Sequence, residues 1–243
     1  MNDIDGIIWQ DYDICESTND EVYKLCSRVK APCAVTAKIQ TKGRGRRGHS
    51  WISEEGNLFM SLAFNESTEN LSRLVIISGI AVMQTVKSFC PDADIKLKWP
   101  NDVLVDGAKI SGILFERGPD NFWIMGVGIN VVSHPDLESA DYATAGLNAL
   151  GADTDRITVL KKFIAIWNTL LYIYRQEGFL KLKQIWLNNA YNLNNTIVIK
   201  QEKQNKSGVF AGIDDYGCLL LQNGLKTETV IAGDMFAAKE KDE

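Results

Sequence analysis

The hydrophobic period of this chain changes once, and that change limits the fold more than any other feature. Up to about residue 190, helix-period segments alternate with strand-like runs. Past about Asn195 only short apolar runs remain: TIVIKQ, SGVFAGI, GCLLLQ and ETVIAG. Turn signals at Asn205, Asp214-Asp215-Tyr216-Gly217 and Asn223-Gly224 separate them. Their spacing of roughly 8–12 residues is that of a small β-barrel or sandwich. A boundary is expected near residues 190–195.

The first part reads as mixed α and β. Ser17, Thr18 and Asn19 can cap a helix, and Thr18 with Glu21 has capping-box spacing. Val22, Leu25, Cys26 and Val29 then mark one apolar face, ended by Pro32. Cys33 to Ile39 and Asn57 to Phe64 predict strands, and Leu71 to Phe89 traces a long helix face. Ile95, Leu97 and Trp99 alternate with Lys96 and Lys98, a half-exposed strand stopped by Pro100-Asn101-Asp102. Val103 to Val105 and Lys109 to Glu116 flank Asp106-Gly107, the strongest short hairpin signal. Phe122 to Val131 is a strand interrupted by Gly126 and Gly128. Thr154 or Asp155 caps a helix to about Gln176, and a shorter one covers roughly Phe179 to Ala190.

Composition excludes several classes. The 243 residues carry 26 Lys+Arg against 31 Asp+Glu, a net charge of −5. That balance argues against nucleic acid or an anionic membrane as the main partner. Five cysteines without a CxxC pair, and only His49 and His134, leave almost no material for a zinc site. Unpaired cysteines suit a reducing compartment. The acidic start MNDIDGIIWQD is no secretory signal, and no apolar run approaches the roughly 18 residues of a membrane span. A cytoplasmic location is expected.

Three stretches carry chemistry. Gly43-Arg44-Gly45-Arg46-Arg47-Gly48 sets three arginines together in an acidic chain. Its glycines let backbone approach a ligand, and guanidinium groups bind phosphate oxygens; a solvated loop or an RNA contact reads equally well. Asn101 and Asp102 follow a strand end, where functional loops sit, and also fit a plain turn. Lys109 opens an apolar strand, either as an edge charge or as a cation aimed into a pocket. Gly112, Gly126 and Gly128 cost a strand stability unless a ligand, a crossing segment or a bulge requires them. His49 and His134 read as loop residues without a catalytic partner. No Walker loop or dinucleotide-binding glycine motif occurs.

In order and spacing these pieces resemble one family. Ser17-Thr18-Asn19, Gln40-x-x-Gly-Arg-Gly-Arg-Arg-Gly-x-x-Trp51, Lys98-Trp-Pro-Asn-Asp102, Lys109-x-x-Gly-Ile-Leu-x-Glu116 and Gly126-x-Gly-x-Asn130 resemble the biotin protein ligases, or biotin–[acetyl-CoA-carboxylase] ligases. The resemblance spans roughly residues 10 to 132 in motif and the C-terminal segment in texture. It implies an α+β catalytic domain, residues 1–192, with a mixed sheet flanked by helices. A small SH3-like β-barrel, residues 193–243, would follow. The implied activity makes biotinyl-5′-adenylate from biotin and ATP, then passes biotin to a lysine of the biotin carboxyl carrier protein of a carboxylase.

The resemblance also distributes roles. Ser17, Thr18, Asn19, Gln40, Gly43, Arg44, Gly45, Gly112 and Gly128 would form the biotin site, with Arg46 and Lys109 at its carboxylate. Arg46, Arg47, Trp51, Asn101, Asp102, Lys109 and Asn130 would hold ATP. Lys109, Arg46 and Asp102 are the implied catalytic set, Asp102 assisting the incoming lysine amine. Mg²⁺ is expected with ATP, without assigned ligands. His49 stands where the family commonly has Arg or Lys. Sixteen residues before Ser17 cannot form the winged helix-turn-helix of bifunctional members, so a monofunctional enzyme without DNA binding is expected, as monomer or homodimer. The alternatives are a lipoate-type protein ligase and a nucleic-acid-binding module using the arginine loop.

Overall fold

The computed structural model describes residues 2–133, 143–201 and 204–238. His134 lies outside them. The chain opens with β1 (Asn2–Ile4) and β2 (Ile7–Cys15), followed by α1 (Thr18–Val29), β3 (Cys33–Gln40) and β4 (Leu58–Asn65). Next come α2 (Leu71–Phe89), β5 (Ile95–Lys98), β6 (Asp102–Val105), β7 (Ala108–Arg117) and β8 (Phe122–Ile129). Helices α3 (Arg156–Glu177) and α4 (Leu180–Asn188) precede β9 (Thr196–Lys200), β10 (Lys206–Ile213), β11 (Leu219–Asn223), β12 (Lys226–Val230) and β13 (Asp234–Ala237).

Strands β1 to β8 form one mixed sheet in the order β1-β2-β3-β4-β8-β7-β6-β5. Only β2 and β3 run parallel, because α1 carries the chain between them. Period-two alternation assigns the two faces. Cys33, Val35, Ala63, Phe122 and Ile124 pack with Val22, Leu25 and Cys26 of α1. On the other face Ala34, Leu58, Met60, Leu62, Met125, Val127 and Ile129 pack in the main core with residues of α2, α3 and α4. Two stretches, Thr68–Phe89 and α3, are long and apolar enough to cross a bilayer by length and composition. Leu74, Ile76, Ile77, Ile80, Ala81, Val82 and Val86 of α2 are instead buried in this core.

Local chemistry explains the element ends. Asp155 caps α3, accepting from the backbone N–H groups of Ile157 (2.8 Å) and Thr158 (3.1 Å). The β6–β7 turn places Asp106 at φ +49° and Gly107 at +80°, the left-handed pair a two-residue hairpin requires. The Thr18–Glu21 capping box does not form. Ser17 is the N-cap, and the Thr18 hydroxyl donates to Gln40 instead. The half-exposed reading of β5 holds for Lys96, which stays partly exposed, and fails at Lys98, which is 7% exposed and turns into the cavity described below.

Strands β9 to β13 form a second, antiparallel sheet in the order β12-β11-β10-β9-β13. Among the described residues its edge strands β12 and β13 do not pair, so the expected barrel is an open five-stranded sheet.

Candidate functional site

A cavity of about 420 Å³ opens at the N-terminus of α1. Its wall combines Ser17, Thr18 and Asn19, the arginine loop, the β5–β6 turn, the glycine positions of β7 and β8, and β13. One end is neutral and polar. The Gln40 Oε1 accepts from the Thr18 N–H (2.8 Å) and hydroxyl (3.0 Å), while its Nε2 donates to Ser53 (3.0 Å). The Ser61 hydroxyl lies against Thr18 Oγ1 (2.7 Å) and Asn19 Oδ1, and Asn19 Nδ2 donates to Glu116 (2.6 Å). Ser17, Thr18, Asn19 and Ser61 are at most 5% exposed. Such a buried network persists only when its groups are satisfied by one another or by a ligand.

The arginine loop is braced by carboxylates. Arg44 bonds both oxygens of Asp20 (2.9 and 2.8 Å) and also Glu116 (3.0 Å). The Arg44 guanidinium holds the Asp20 carboxyl below the usual range, against the opposing effect of burial. Arg46 donates to Asn101 Oδ1, the Gly233 carbonyl and Asp234, each at 3.2 Å. Burial pushes the Arg46 pKa down, and the nearby Asp234 and Asp102 oppose that shift. Arg47 reaches Asp234 (3.0 Å) and the Lys200 carbonyl (2.9 Å). Like-charge repulsion is thus answered by three carboxylates. The loop also folds back on itself, with Gly45 N–H donating to the His49 carbonyl (2.7 Å) and Trp51 N–H to that of Gly43 (2.9 Å).

Trp51 explains two of the strand glycines. Gly112 and Gly128 are direct cross-strand partners in β7 and β8. A Cβ at Gly112 would stand 2.8 Å from the Trp51 ring, and one at Gly128 2.5 Å. The loop crosses here, so any side chain would displace the indole. A Cβ at Gly126 would likewise meet Asn19 Oδ1 at 2.5 Å. The Trp51 Nε1–H is buried with no hydrogen-bond partner among the described residues. The Lys109 ammonium lies 5.5 Å from the ring centroid and 2.7 Å from Asp102. Both members of that ion pair are largely buried, with side chains 15% and 12% exposed.

The cavity collects Ser17, Thr18, Asn19, Gln40, Arg44, Gly45, Arg46, Trp51, Asn101, Asp102, Lys109, Gly112 and Asn130. Three positions do not line it. Gly43 anchors the loop beside Trp51, Gly128 lies under the indole, and Arg47 faces β9 and β13. Asn130 also ties backbone, its amide donating to the Ala145 carbonyl (2.9 Å). Sequence reasoning missed Lys98, Thr144, Asp234 and Phe236 as wall residues. Glu116 was visible in its motif without a role. Among the described residues, no three His, Cys, Asp or Glu side chains converge on a metal position. Asp102 and Asp234, the carboxylates nearest the cations, are both ion-paired. The donor set does not fit a resident metal.

Two family profiles match: "Biotin/lipoate A/B protein ligase family" over residues 13–130 and "Biotin protein ligase C terminal domain" over residues 193–237. The biotin–[acetyl-CoA-carboxylase] ligase of Paracoccus denitrificans is 29% identical, covering 91% of this chain and 97% of that protein. The bifunctional ligase/repressor BirA of Bacillus spizizenii is 32% identical, over 90% and 71% respectively. A structure of the biotin protein ligase from Aquifex aeolicus in complex with biotin and ATP superimposes with a TM-score of 0.84 at 27% identity, covering 94% of this chain and 97% of that one.

Proposed function

The chain belongs to the biotin protein ligase family, and we infer from this that it is a biotin–[acetyl-CoA-carboxylase] ligase. It activates biotin with ATP as biotinyl-5′-adenylate and transfers the biotinyl group to a lysine of a carrier protein. The observation that carries the reading is the single cavity joining a neutral polar end to a cluster of buried cations. The match to a C-terminal profile described for biotin protein ligases favours biotin over lipoate. The inward pairing of the loop arginines with Asp20, Glu116 and Asp234 favours a small anionic ligand over nucleic acid.

The residue roles are those that the family resemblance implies, and the charges along the cavity support them. Biotin's ureido ring, which carries two N–H donors and a carbonyl, suits the end built by Ser17, Thr18, Asn19 and Gln40. Gly43, Gly45 and the Arg44 backbone close over it. Gly112 and Gly128 form the floor through Trp51. Biotin's carboxylate is ionised near pH 7, so the first step needs no general base. Its oxygen attacks the α-phosphorus while the bond to the β-phosphate oxygen breaks. The obstacle is repulsion between anions, and Lys109 and Arg46 reduce it. Trp51 and Asn130 suit the adenine, and Asn101, Asp102 and Arg47 the phosphates. Mg²⁺ enters as a counter-ion of ATP. In the second step the lysine amine attacks the mixed anhydride and AMP leaves. Asp102, released from its ion pair with Lys109, would take the amine proton.

The partner is a biotin carboxyl carrier domain, and five free, buried cysteines support a cytoplasmic setting. With biotin, ATP and such a domain, the protein is expected to add one biotinyl group to the carrier, read by intact mass. A folded carrier that gains no mass contradicts the assignment.

A further inference from the structure

Glu116 joins the polar network at the N-terminus of α1 and has no part in the chemistry above. It lies near the end of β7, on the sheet face that α1 covers; its partner across β8 is Ile124, which packs with α1. Its Oε2 accepts from Asn19 Nδ2 at 2.6 Å and from Arg44 at 3.0 Å, and its Oε1 accepts from Arg44 Nε at 3.3 Å. The same Asn19 amide meets two other strands. Its Oδ1 faces the Ser61 hydroxyl of β4, and a Cβ at Gly126 of β8 would stand 2.5 Å from that oxygen. Ser61 and Gly126 are register partners across β4 and β8. Three strands thus seat one side chain, which is 5% exposed.

A side-chain amide has two ends of similar shape and opposite polarity. An ionised carboxylate only accepts, so Glu116 can face Nδ2 and not Oδ1. That leaves Oδ1 as the acceptor beside Ser61, whose hydroxyl also lies 2.7 Å from Thr18 Oγ1. A reversed amide would aim an N–H at Ser61 and set two acceptor oxygens against each other at Glu116. A glutamine at 116 would lift this bar, because its own amide can donate as well as accept. We propose that Glu116 is a positioning residue for biotin: its charge fixes which end of the Asn19 amide faces Ser61 and Thr18, in the wall that meets the ureido ring. The inference rests on the proposed biotin reading. The effect runs through Asn19 rather than Arg44, since Arg44 keeps both oxygens of Asp20 when Glu116 is changed.

The test is biotin affinity of the full chain by calorimetry, beside kcat and KM for ATP from biotin-dependent ATP–pyrophosphate exchange. Glu116→Gln keeps the size of a side chain that is 34% exposed, so the variant is expected to fold. Its Kd for biotin should rise about tenfold, with kcat at saturating biotin and KM for ATP within about twofold of the parent. In an Asn19→Ala background there is no amide to orient, and the same substitution should change Kd by less than about twofold. A Kd within about threefold of the parent in Glu116→Gln, a matching fall in kcat at saturating biotin, or an undiminished loss of affinity in the Asn19→Ala background overturns the proposal. A parent that binds biotin beside an unaltered variant removes this inference alone. A parent that does not bind biotin removes the proposed function and the inference with it.

Discussion

Lys109 and Asp102 sit 2.7 Å apart and largely out of solvent, on the two strands of one hairpin. A buried ion pair is a poor way to stabilise a sheet, because desolvating two charges offsets most of their attraction. The pair lines the same cavity as Arg46, and in the proposed function it serves the chemistry there. Lys109→Gln keeps length and polarity but removes the charge. Adenylation should then slow by about 10²–10³-fold, measured by single-turnover release of pyrophosphate. A rate within threefold of the parent from a folded variant would remove Lys109 from the chemistry. At this scale the sequence exposed much. That Lys109, Arg46 and Asp102 border one cavity was legible through the family motifs. Lys98 was not, because alternation in a four-residue strand predicts exposure without knowing that β13 covers its end. Asp234 carries no local signal; its meaning comes from arginines 187 and 188 residues earlier in the chain.

The glycines of β7 and β8 show what an element contributes. Gly112 and Gly128 face each other across the ladder and clear the space that the Trp51 indole fills. Gly128→Ala adds one methyl group 2.5 Å from the ring and should push the loop out of register. The expected cost is about 1–3 kcal/mol in denaturant unfolding, with weaker ATP binding. Unchanged stability and affinity would mean that Trp51 is not held against this floor. The glycines were visible as a cost needing a cause, with a ligand, a crossing segment and a bulge all open. The structure identifies the crossing segment. Strands β1 and β2 were not anticipated. IIWQDYDIC mixes acidic and apolar residues, and what makes it a strand is remote: parallel pairing with β3 and the Asp11–Arg156 ion pair at 2.6 Å.

At the scale of the molecule, two sheets supply one site. The eight-stranded sheet carries α1 on one face and α2, α3 and α4 on the other, and the cavity opens past the N-terminus of α1. The five-stranded sheet closes the cavity with β13. The change of hydrophobic period near residue 193 was legible as a change of texture. The contribution of the second part to the site was not, since no local pattern tells a strand which cavity it borders. Activation of biotin with ATP in this joint cavity is read by ATP–pyrophosphate exchange, run in parallel with biotin, with lipoate and with no acid. Exchange is expected with biotin alone. Exchange with lipoate but not biotin, or none with either from folded protein supplied with Mg²⁺, would contradict it.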